Sequence, residues 1–129
     1  MKIGFTKDGE FGLLAIVGDL ERLTPATLKH YIEMVVERAC PYMIVDLTGV
    51  EKLSTSGLGL LFAGKNHLDD VGALMAIIGQ ERELHSLLPS ASLGKMVPVC
   101  ESVERAKIAL RRLAFQRRAS DRRKKRYED

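Results

Sequence analysis

The residues with the most distinctive chemistry are three consecutive hydroxyls, Ser54-Thr55-Ser56, followed by Gly57-Leu58-Gly59. A hydroxyl at the start of a helix can cap a free backbone N–H, and serine and threonine are preferred there. Capping uses one hydroxyl, or two, and leaves a third over. A phosphate on such a group would sit at the positive end of the helix dipole, where unpaired N–H groups favour anions. It would bring a charge of roughly −1.5 to −2 to any surface docked there. Glycines at 57 and 59 are poor helix formers, and they would let another surface approach the backbone. The same stretch therefore reads either as a plain cap or as a site of reversible charge.

Other chemistries find no support in the residue pattern. The phosphate-loop pattern GxxxxGK[ST] is absent, and GxGxxG would need glycine where Phe62 stands. There is no GxSxG, and no His–Glu pair at metal-binding spacing. Cys40 and Cys100 are far apart with no CxxC spacing, and His30, His67 and His85 fall in separate segments. A zinc site needs about four ligands, so neither a metal nor another cofactor is expected, and the cysteines read as reduced thiols. The chain is expected to be a binding protein, not an enzyme.

The elements that must position the hydroxyls follow from turn chemistry and periodicity. Strands are predicted over 2–6 and 11–18, joined at Lys7-Asp8-Gly9-Glu10, where Asp-Gly signals a hairpin. The second strand is almost wholly apolar, as if covered on both faces. Thr24-Pro25 opens a helix as N-cap and first position, with Leu28, Ile32, Val35, Val36 and Ala39 on its apolar face and Pro41 as its stop. A short third strand spans 42–47, then a loop spans 48–53, and a helix runs from about Leu58 to Leu68. A fourth strand at 74–78, a helix at 80–88, a short strand at 96–99 and a helix capped by Ser102 complete the order ββαβαβαβα. Pro98 lacks a ladder donor and favours an edge. Strands alternating with helices imply a mostly parallel sheet of four to five strands, with the hairpin at its start and four helices.

At 129 residues, 46% of them hydrophobic, the chain is expected to fold as one globular domain, residues 1–113, with a basic tail over 114–129. Net charge is +3, yet residues 111–129 carry nine Lys/Arg and three acids, leaving the other 110 residues at 11 basic and 14 acidic. The body is thus −3 and the end +6. Leu113 and Phe115 would carry the last helix a turn or two into the tail, which otherwise reads as solvated and partly disordered, or as a contact for nucleic acid, anionic lipid or an acidic partner. No apolar run approaches the roughly 18–20 residues of a membrane span, and the opening residues are too polar for a signal-peptide core. A cytoplasmic location is expected.

Asp46-Leu47-Thr48-Gly49-Val50 followed by Ser54-Thr55-Ser56-Gly57-Leu58-Gly59-Leu60-Leu61 resembles the signature of the STAS domain, the fold of bacterial anti-sigma-factor antagonists. Val17-Gly18-Asp19-Leu20-Glu21 and the stretch from Ser90 to Val99 extend the resemblance over about residues 3–113. The family signature is typically Asp-Ser-Ser/Thr-Gly-Leu-Gly, with phosphate accepted by the hydroxyl before the glycine. By position the resemblance implies Ser56 as acceptor, with Ser54 standing where the family has aspartate. It implies a regulatory protein that binds an anti-sigma factor which is also a serine kinase, with a serine phosphatase reversing the modification. Ser54, Thr55, Ser56, Gly57 and Leu58 would meet the partner, and Asp19, Glu21 and Arg22 would form the neighbouring rim or merely a solvated loop. The resemblance equally admits a scaffold or adaptor subunit of a stressosome-like or lipid-transport complex, without phosphorylation.

Overall fold

The structure is a computed structural model that describes residues 1–80, 82–84 and 97–127, with side chains described up to residue 120. The chain opens with a hairpin, β1 (Lys2–Asp8) and β2 (Phe11–Asp19), paired antiparallel from Lys2↔Val17 to Asp8↔Phe11. Its two-residue turn is Gly9-Glu10, and Gly9 takes φ 58°, a conformation glycine adopts freely.

A single 3-10 turn, Leu20–Arg22, leads to α1 (Pro25–Glu37), capped as expected by the Thr24 hydroxyl, which accepts from Thr27 N. Next come β3 (Tyr42–Lys52), α2 (Thr55–Asp70), β4 (Leu74–Ile78), β5 (Val99–Cys100) and α3 (Val103–Tyr127). Ser102 caps α3 by accepting from Arg105 N. Residues 82–84 are helical and fall within the helix expected over 80–88; Gln80 is not helical, and residues 81 and 85–88 lie outside the described residues.

The sheet order is β1-β2-β3-β4-β5, with all pairs after the hairpin parallel and β5 on the edge; the strand expected over 96–99 is Val99–Cys100 instead, so Pro98 precedes it. Side-chain alternation divides the core in two. Met43, Val45 and Leu47 of β3 face α1 and α2, where Leu28, Ile32, Val35, Leu58, Leu61 and Leu68 close the larger core. Tyr42 and Ile44 face the other way, against Ala106 and Leu110 of α3. Burying each such aliphatic side chain contributes roughly 1.5–3 kcal/mol.

Four expectations are corrected. First, α1 ends at Glu37, before Pro41 can act as a stop. Cys40 N bonds Val35 O and Ala39 N bonds Val36 O, both at 3.1 Å, while Ala39 takes the left-handed φ of 55°. This is a Schellman ending with alanine where glycine is usual. Second, β3 does not stop at Leu47. It pairs with β2 as far as Asp19↔Lys52 through two register shifts, and Gly49 permits it, since a Cβ there would lie 2.8 Å from Val17 Cγ2. Third, β2 is covered on only one face along its second half. Ala15 and Val17, the latter 47% exposed, lie on the same face as Phe11 and Leu13 but beyond the part that α3 covers. Fourth, the last helix enters the tail by more than the expected turn or two, since α3 continues unbroken through Tyr127.

Candidate functional site

The end of β3 delivers Ser54, whose extended backbone (φ −131°, ψ 145°) turns the chain into α2 three residues earlier than the periodicity suggests. The three hydroxyls then separate by role. Ser54 is buried, and its Oγ accepts from Gly57 N at 3.0 Å, while its carbonyl takes Leu58 N at 3.0 Å. Thr55 and Ser56, the first and second helical residues, are exposed. Ser56 Oγ lies 3.2 Å from Ser54 Oγ, so the cap and the outer serine share one hydrogen bond. The first backbone N–H groups of a helix have no intrahelical partner, and Ser54 Oγ satisfies that of Gly57. An anion on Ser56 therefore sits beside the remaining donors and the positive dipole end.

Glycine at 57 has a specific cause. A Cβ there would lie 2.5 Å from Leu20 Cγ and 2.7 Å from the Leu20 carbonyl oxygen. The 3-10 turn is thereby pressed against the first turn of α2. Asp19 Oδ1 caps that turn by accepting from Glu21 N at 3.0 Å, and Glu21 and Arg22 are exposed on it. The structure thus packs the 3-10 turn that carries Asp19, Glu21 and Arg22 against the first turn of α2, where Thr55 and Ser56 stand. It places Gly57 and Leu58 differently from a contact surface. Gly57 is buried under Leu20, and Leu58 is fully inaccessible within the larger core, so both support the site from beneath. Gly59 is the glycine of the signature that faces open space, since a Cβ there would meet nothing within 4 Å.

Asp46, the first residue of the signature, is occupied locally: its Oδ1 accepts from Thr48 N at 2.9 Å and from Thr48 Oγ1 at 2.7 Å. That holds the bend where β3 passes Gly49. Below this, at the carboxyl ends of β3 and β4, Leu47, Thr48, Val50, Leu53, Gly79, Gln80, Arg82, Glu83, Leu84 and Glu101 line a pocket of about 560 Å³. Sequence reasoning passed over it, because its walls come from three separate connections.

It also passed over Lys65. That residue follows Leu58 and Leu61 and precedes Leu68 at core-facing spacing, and it is nearly buried, with Nζ 2.7 Å from Asp69 Oδ2. The spacing itself was the available signal. Among the described residues no group of three or more His, Cys, Asp or Glu could hold a metal. Cys40 is buried and Cys100 half-buried, and neither is in a disulfide. His30 and His67 are exposed, and His85 lies outside the described residues.

Comparison with known proteins identifies the fold and the family. The chain is 21% identical to an anti-sigma F factor antagonist of Paenibacillus polymyxa over 91 residues, 70% of this chain and 78% of that one. Its fold matches the crystal structure of an anti-sigma factor antagonist from Mycobacterium paratuberculosis with a TM-score of 0.67 at 22% identity, covering 85% and 93% of the two chains. The anti-sigma factor antagonist SpoIIAA in its unphosphorylated form matches at 0.65 and 15% identity, covering 85% and 96%. The family model described as "Mlab, STAS domain" matches residues 3–98, and the chain belongs to the STAS domain family.

Proposed function

We propose that this protein is an anti-sigma-factor antagonist, a cytoplasmic binding protein that docks an anti-sigma factor through the start of α2 and the neighbouring 3-10 turn. Phosphorylation of Ser56 by a partner serine kinase ends the docking, and a serine phosphatase restores it. The observation that carries this reading is the division of labour among the three hydroxyls. Ser54 is consumed as a buried cap, which leaves Ser56 exposed at the anion-favouring end of the helix. The fold can hold the phosphate without losing its cap, while a docked surface meets a new charge of about −1.5 to −2. Support also comes from the relatives, which are anti-sigma factor antagonists, one of them known in unphosphorylated and phosphorylated forms.

Serine in place of the family aspartate fits the same role. Its hydroxyl performs the capping that a carboxylate would, and it puts no negative charge beside the acceptor. The direct test is calorimetric titration of the purified chain with the anti-sigma factors of its organism. Wild type and Ser56→Ala should bind one of them, and Ser56→Asp should bind it roughly 30-fold or more weakly, equivalent to about 2 kcal/mol. Equal affinity for all three would support the second reading, a constitutive scaffold or adaptor subunit. That reading draws on the neutral Ser54 and on the Mlab description of the matching family model.

A further inference from the structure

The strongest unused feature is the second half of α3. Its packed part ends near Ala114, the last α3 residue seated against the smaller core. The helix nevertheless continues to Tyr127, about 20 Å farther at 1.5 Å per residue. Ala114, Arg117 and Arg118 line a pocket with Tyr42 and Leu74, the first residues of β3 and β4. The extension therefore leaves the body at the amino ends of the parallel strands. The serine site lies at their carboxyl ends, where β2 and β3 finish.

We propose that this extension binds the phosphate backbone of double-stranded DNA, independently of the serine site. Residues 117–126 hold seven cations in ten positions, against Asp121 alone. No ion pair among the described residues involves Arg112, Arg117 or Arg118, and all three are exposed. Like charges recur at helix-neighbour spacing, as in Arg118/Arg122 and Arg122/Arg126, which opposes the helix unless counter-charge is supplied.

The composition selects among polyanions. A helix lying on a membrane needs an apolar face, and residues 116–126 offer only Ala119. Single strands are held by stacking on closely placed aromatics, whereas Phe115 and Tyr127 stand about three helical turns apart. The deep, narrow major groove of duplex RNA excludes side chains. The major groove of B-DNA, about 12 Å wide, admits an α-helix with phosphates on both flanks. With seven cations in ten positions, contact with the phosphates supplies most of the affinity. The body, at −3, is repelled by the same duplex, which points the serine site away from it.

The test is fluorescence anisotropy of a short mixed-sequence DNA duplex with the full-length chain over stepped salt. It compares wild type, Ser56→Asp, and a combined Arg122→Gln, Arg123→Gln, Lys124→Gln, Lys125→Gln variant, which keeps good helix formers. Wild type should show a log–log salt slope of about −4 or steeper, and the combined variant a slope shallower by about 3, with at least tenfold weaker binding at low salt. Ser56→Asp should match wild type. Absence of duplex binding at low salt, an unchanged slope in the combined variant, or loss of binding in Ser56→Asp would each overturn the proposal. So would tighter binding to phosphatidylglycerol vesicles or to polyglutamate at equal charge concentration, which would assign the extension to a membrane or to an acidic protein.

Discussion

The two ends of this sheet are built on opposite principles. At the carboxyl ends, Ser54 Oγ caps Gly57 N at 3.0 Å and Leu20 leaves no room for a side chain at Gly57, while Ser56 emerges between this cap and the exposed Glu21 and Arg22 of the 3-10 turn. At the amino ends, the α3 extension carries a dense run of positive charge and leaves the packed core behind at Ala114. The first end depends on geometry, so single atoms matter there. The second depends on total charge, so no one residue should. A surface organised by fit suits a single partner and an on–off modification, whereas one organised by charge suits a polyanion and responds to salt.

That contrast can be broken most forcefully at Gly57. Gly57→Ala should lower unfolding free energy by about 2 kcal/mol in denaturant melts, because the Leu20 carbonyl cannot retreat as a flexible side chain could. A neutral result would mean that the 3-10 turn is not held against α2. Next in size is the cap. Ser54→Ala should cost about 1 kcal/mol, and Ser54→Asp should retain stability in the unmodified protein. Once Ser56 is phosphorylated, the Ser54→Asp carboxylate faces the phosphate, and thermal melts of that form should fall below those of phosphorylated wild type.

The helix endings sharpen the comparison further, since α1 and α2 close with the same hydrogen-bond pattern on different residues. Ala73 N bonds Leu68 O and Gly72 N bonds Asp69 O, with Gly72 at φ 77°, as Cys40 and Ala39 do in α1. Gly72→Ala should destabilise by about 1 kcal/mol, and Ala39→Gly should stabilise by roughly 0.5–1 kcal/mol, both read from chemical denaturation. Smallest of all, neutralising the four cations at 122–125 should shift stability by less than about 0.5 kcal/mol, since they lie beyond the packed part of α3. A larger loss would show that the extension packs on the body.

Local chemistry was legible in the residues wherever one short stretch decides it. Thr24-Pro25, Gly9 and Ser102 each start or turn an element through their own side chain or backbone freedom, and each does so where expected. The order of strands and helices followed from periodicity, and the STAS signature marked the serines. What the residues did not reveal depends on distant partners. The extra length of β3 is supplied by β2 through a bulged register, and Gly57 owes its place to Leu20, 37 positions earlier. Leu58 belongs to the site's signature yet lies wholly in the core, in line with Leu61, Lys65 and Leu68, so the spacing along α2 outweighs membership of the signature. Ala39 hid a helix end because the Schellman pattern is usually announced by glycine.

Ser56, and not the buried Ser54, is on this account the residue whose modification controls docking. The measurement that bears on it most directly is peptide mapping by mass spectrometry after the chain is incubated with ATP and the proposed partner kinase, the anti-sigma factor that it binds. A single added phosphate, about 80 Da, on Ser56 is predicted, with loss of the complex in proportion to the modified fraction. Phosphate found on Ser54 or Thr55 alone, or a complex that persists when Ser56 is fully modified, would contradict it.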